Sequence, residues 1–166
     1  MLRLRPGEPR GPASATDAAR RARYHRPPTM ATLEHLLQPV ASAQFLTLVF
    51  LAILFVQSGL DKIIDFRGNL GWLKGHFAKS PVAGQVMPML VVITLTETAA
   101  GVLAGVGAIV LAMDGSKTLA LYACQLCALN IVMLFFGQRL AKDYAGAASL
   151  VPYFILSAGA VLVLRA

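Results

Sequence analysis

Residues 86–113 read VMPMLVVITLTETAAGVLAGVGAIVLAM, a run of 28 residues with one ionisable side chain, Glu97. A helix crosses a hydrocarbon core with about 20 residues, so this run is long enough to span. Three further stretches meet the same length, at residues 43–64, 118–138 and 147–164. The whole chain fits that reading. It is 57% hydrophobic and 14% charged over 166 residues, with a mean hydropathy of +0.65, which is too apolar for a soluble domain of this size. Four buried helices of a soluble protein would each need a polar face, and none of these runs has one. The expected fold class is therefore an all-α membrane protein, a four-transmembrane-helix bundle, lying multi-pass in a cell membrane of the bacterial inner-membrane kind.

Charge gathers at the beginning of the chain. Residues 1–30 hold seven arginines against Glu8 and Asp17, a net +5 of the formal +7. Rich in Arg, Pro and Ala and poor in large apolar residues, this stretch cannot bury enough surface to fold alone, and we read it as a disordered basic tail. Such a tail suits anionic lipid or nucleic acid, but the plainer reading is a start at Met30, and no nucleic-acid partner is assigned. No secretory signal is read, because YHRPPTMATLEHLLQP (residues 24–39) separates the arginines from the first apolar run. An organelle transit peptide fits the Arg content and not the prolines. Residues 31–166 form the membrane domain.

The start decides the orientation. Four spans put the first and third loops on one side, with Lys62, Arg67, Lys74, Lys79, Arg139 and Lys142, and leave Lys117 and Arg165 on the other. By the positive-inside rule the termini lie outside without the tail and inside with its seven arginines. The second loop, MDGSK (residues 113–117), is a tight helical hairpin in which Gly115 supplies the permissive backbone and Ser116 the cap of the third span. In the first loop, Trp72, Phe77, Lys74 and Lys79 mix aromatic rings with cations as a headgroup interface requires. A short interfacial helix and a turn at Ser80 and Pro81 are expected there. Gln138, Arg139, Lys142 and Asp143 form the interfacial turn between spans three and four.

Glu97 has a direction. At 100° per residue, Thr94, Glu97, Thr98, Gly101, Gly105 and Ala108 share one arc, opposite Val92, Leu95, Val102, Leu103, Val106 and Val110. Gly101 and Gly105 form a GxxxG, which lets another helix backbone come close; the same face is a candidate seam for a homo-oligomer. The carboxylate therefore points into the bundle. There it needs a partner, because an unpaired carboxylate in hydrocarbon costs several kcal/mol or takes up a proton. With a helix start near Pro88, Glu97 lies about 13 Å deep at 1.5 Å per residue. The first span arrives at the same surface with Gln57, Asp61 and Lys62, and the third with Asn130, so these residues and Glu97 form an expected intramembrane polar cluster. It serves either to glue the helices together or as a proton or ligand site.

The segments FVQSGLDKIIDF (residues 55–66) and FFGQRLAKDYAGAASLVPYF (residues 135–154), with a glutamate in a Gly/Ala-rich second span between them, resemble the DoxX family of small four-span membrane proteins. The resemblance covers about residues 43–164. It implies a four-helix bundle and a loosely redox role, in quinone-linked sulfur oxidation or in membrane oxidoreductase complexes that handle thiol and oxidative stress. A quinone is the cofactor it suggests. Cys124 and Cys127 have the C-x-x-C spacing of a dithiol pair, but their depth in the third span opposes the thiolate that exchange requires. His25, His35 and His76 are too scattered to gather a metal, and no metal site is assigned. No catalytic residue is assigned either. Two functions remain: an accessory or anchoring subunit of a membrane redox enzyme, or a small proton-coupled transporter using Glu97 and Lys62.

Overall fold

The computed structural model describes residues 37–165, so the reading of residues 1–30 lies outside the described residues. Among the described residues five α-helices follow one another: α1 (Pro39–Ile64), α2 (Phe66–His76), α3 (Val86–Asp114), α4 (Thr118–Leu140) and α5 (Tyr144–Arg165), with a 3-10 turn at Ala83–Gln85 before α3. The four long helices are apolar and long enough to cross a membrane. They are the four expected spans, each extended by a few residues at one or both ends except at the start of the second and third and the end of the first. Pro39 opens α1, since a residue without an N–H loses nothing in the first turn.

Most packing is between α1 and α3, α3 and α4, and α4 and α5. A lighter contact of α1 with α5 closes the bundle, tied by Gln44 Nε2 donating to the Val163 carbonyl at 2.8 Å. The core is small-residue packing around a few large side chains: Leu48, Leu51 and Phe55 from α1 meet Ala100, Ala104 and Ala108 from α3, and Ala123, Cys124 and Cys127 from α4. Apolar side chains gain no hydrophobic advantage by leaving lipid. Close backbone approach and dispersion must hold such helices together, which is why alanine and glycine line the contacts.

The closest approach is at Gly101. A Cβ there would lie 2.5 Å from the Val56 backbone nitrogen, whereas one at Gly105 would meet only the Ala52 Cβ at 3.8 Å. The helix backbone that approaches this face is α1 of the same chain, so the seam read as a place for a second copy is already filled from within.

The loops follow the sequence with one correction. Gly115 takes the left-handed conformation, φ 74°, and ends α3. Ser116 does not cap α4, whose N-cap is Lys117 without a side-chain bond; instead Asp114 Oδ1 accepts from the Ser116 N–H at 2.8 Å. A carboxylate one residue before the glycine outcompetes the serine for the same turn. The first loop contains the expected short helix, α2, capped by Asp65 accepting from the Gly68 N–H at 3.0 Å. The turn at Ser80 and Pro81 is closed by the Ala83 N–H donating to the Ser80 carbonyl. At the same end of the bundle lies the α4–α5 turn, where His76 Nε2 bonds Gln138 Oε1 at 2.9 Å.

Candidate functional site

Glu97 sits on the third turn of α3, roughly 16 Å along the helix from Val86 at 1.5 Å per residue. It is 1% exposed, while Val102 on the opposite face is 55% exposed. Rotation of the helix, set by the small residues facing α1, is what carries the carboxylate inward. Thr94 and Thr98 flank it on the same face, yet their hydroxyls donate back to the Leu90 and Thr94 carbonyls at 2.7 and 2.8 Å. They serve their own helix and do not serve the carboxylate.

The partner comes from α1. Lys62 Nζ lies 2.8 Å from Glu97 Oε2, with the lysine side chain 18% exposed and the glutamate 1%. The ammonium also donates to Ser58 Oγ at 2.8 Å and to the Ser58 carbonyl at 3.2 Å. All three of its donors are thereby used. Ser58 Oγ in turn donates to Glu97 Oε2 at 3.1 Å. The three side chains form a closed triangle in which lysine, hydroxyl and carboxylate each touch the other two. Glu97 Oε1, the second oxygen, is buried and has no hydrogen-bond partner among the described residues.

This arrangement follows from helix periodicity. Ser58 and Lys62 are one turn apart and share a face of α1; Gly59 lies beside them, where its missing side chain admits the Thr98 backbone of α3 to within 3.2 Å of the position a Cβ would take. The backbones come close enough for Lys62 to bend inward. Gln57 and Asp61 are also one turn apart, but on the adjoining face. Both are exposed, and the bonds to Glu97 come from Ser58 and Lys62 instead.

Asn130 is fully buried on α4, where it pairs with another residue of α3. Thr96 Oγ1 donates to Asn130 Oδ1 at 2.7 Å, and Asn130 Nδ2 donates to the Thr96 and Leu126 carbonyls at 3.2 and 2.9 Å. This is a separate link between α3 and α4, of the kind that holds membrane helices together. The five residues expected as one cluster thus divide into a Lys62–Glu97 pair, an Asn130 link and two exposed residues. Ser58 and Thr96, which complete the pair and the link, were not placed in the expected cluster; the signal for Ser58 was its spacing of four from Lys62.

Cys124 and Cys127 are free thiols with no exposed surface, facing the core from α4. At the interfacial turn, Asp143 Oδ1 accepts from the Gly146 N–H at 2.8 Å and starts α5, and Arg139 stacks over the Tyr144 ring at 4.5 Å. Lys142 takes a positive φ of 60° in the tight connection.

Fold and site together define a polytopic membrane protein with a buried intramembrane lysine–glutamate salt bridge. No protein-family model, curated protein or solved structure matches the chain.

Proposed function

We propose that this protein is a small proton-linked transporter or permeation unit in which Glu97 takes up and releases a proton and Lys62 is its counter-charge. The observation that carries the reading is the triangle of Lys62, Ser58 and Glu97, with one carboxylate oxygen paired and the other buried and bare. Ionisable residues at this depth are expensive to retain, and lie on ion and proton pathways far more often than on lipid-facing surfaces.

The geometry supports a proton relay whose balance closes. Lys62 Nζ passes a proton to Ser58 Oγ as Ser58 passes its own to Glu97 Oε2, leaving a neutral amine and a neutral acid; the partly exposed lysine then regains a proton from water at the membrane surface. A proton on Oε1 would leave the bonds to Oε2 in place. Beyond Glu97, the core contains Phe55, Ala100, Ala104, Ala108, Leu51 and Leu48, an apolar layer with no carboxylate, lysine or arginine among the described residues. Access is therefore from the Lys62 side in this conformation, and release to the far side requires the α1–α3 seam to repack.

The accessory redox reading rests on the resemblance to the DoxX family. Its dithiol version finds no support in the packing, since Cys124 and Cys127 have no surface through which a partner's sulfur could reach them. The test is flux through the full chain, purified alone and reconstituted in liposomes with a trapped pH-sensitive dye. Proton uptake driven by an imposed potential should exceed that of protein-free liposomes and fall at least tenfold in Glu97→Gln. Flux equal in native protein, Glu97→Gln and empty liposomes would overturn the proposal.

A further inference from the structure

A second site lies about one helix face away from the pair. Between α2, the beginning of α3 and the end of α4 is a cleft of about 480 Å³, within the range of roughly 300–1,000 Å³ typical of small-molecule sites. Its walls are apolar along the spans, with Ile93, Met133 and Phe136 among them, and polar only at the interfacial end, where His76, Gln138 and Gln85 meet.

We propose that this cleft binds one neutral amphiphile, with an apolar body between α3 and α4 and a hydrogen-bond-accepting head, an ester or hydroxyl, at His76 and Gln138. Three observations select that chemistry. First, His76 Nε2 donates to Gln138 Oε1 at 2.9 Å, which fixes the amide so that its N–H groups remain to donate to a head group. Second, no lysine, arginine, aspartate or glutamate lines the cleft, so its walls offer a phosphate no permanent counter-charge. Third, the Asp143 carboxylate lies beside the polar end, its Oδ2 3.9 Å from His76 Nε2, and it repels an anionic head. The interfacial level of α2 places the head in the headgroup zone and the body in hydrocarbon.

Trp72, the single tryptophan of the chain, reports on the site, because its ring stacks on His76 with centroids 4.8 Å apart. The full chain in phosphatidylcholine nanodiscs is titrated with a dibrominated monoacylglycerol, whose bromines quench indole at short range, and separately with a dibrominated phosphatidylglycerol. Quenching by the neutral lipid should saturate at a mole fraction at least tenfold below that at which the anionic lipid reaches the same level, and unbrominated monoolein should reverse it. Gln138→Leu should raise the half-saturation point about fivefold, the loss of about one hydrogen bond. Met133→Phe, which fills the apolar half, should raise it tenfold or more. Both variants should keep native helicity and unquenched Trp72 emission, so that a shift reports binding. Quenching that rises linearly with mole fraction, equal quenching by the anionic lipid, or half-saturation unchanged in both variants would overturn the proposal.

Discussion

Replacing Lys62 and Glu97 singly and together separates a coupled pair from two polar residues that happen to be near each other. At 2.8 Å, the Coulomb attraction is about 6 kcal/mol for an effective dielectric of about 20, and desolvation of both groups offsets much of it. Lys62→Met leaves the carboxylate in the bundle with Ser58 as its one side-chain donor, a loss of about 3–5 kcal/mol of the kind seen when a buried pair is broken. Glu97→Gln is milder, about 1 kcal/mol, since the amide oxygen still accepts from Ser58 and the freed lysine extends to the headgroups. The double variant has neither an orphaned charge nor a pair, so its loss should fall short of the sum of the singles by about 2–3 kcal/mol, the upper part of the range for contacting residues. Unfolding in mixed micelles over a range of sodium dodecyl sulfate, read by circular dichroism, measures all four proteins. Additivity to within about 0.3 kcal/mol would refute the coupling and leave Ser58 as the carboxylate's lone partner.

Two further outcomes follow from the packing. Gly101→Leu should separate α1 from α3 and abolish folding or lower Tm sharply, because a side chain there meets backbone that cannot give way; Gly105→Ala, in ordinary contact with Ala52, should stay close to native Tm. The α2 helix and the α4–α5 turn share one end of the bundle, so cysteines placed at Lys74 and Lys142 should react with a membrane-impermeant maleimide from the same side, and labelling from opposite sides would break the four-span topology.

The four spans were legible because hydropathy over twenty residues depends on composition and not on register. The inward direction of Glu97 was legible too, since Gly101, Gly105 and Ala108 mark one arc of α3 as the packing face. The partition of its neighbours was harder to read. Residues 57, 58, 61 and 62 all approach the same surface, and only the rotation of α1 decides that Ser58 and Lys62 turn inward while Gln57 and Asp61 turn out. That rotation is fixed by the fit of Gly59 against Thr98, a contact between segments 39 residues apart. Asn130 had the right face of α4 but a different partner, because the stagger of α4 against α3 brings it level with Thr96. The docking of His76 on Gln138 was likewise unreadable from a loop whose helix had to fold back before the two could meet.

Whether Glu97 carries a proton is best measured by infrared difference spectroscopy of the full chain in bilayers, between neutral and acidic pH, with Glu97→Gln and Ser58→Ala beside the native protein. The native protein should gain the carbonyl band of a dehydrated carboxylic acid on acidification, Glu97→Gln should lack it, and Ser58→Ala should shift its frequency through the lost hydrogen bond. Native and Glu97→Gln spectra that superimpose throughout the carbonyl region would mean that Glu97 never takes up a proton, and that the buried pair serves only to hold α1 against α3.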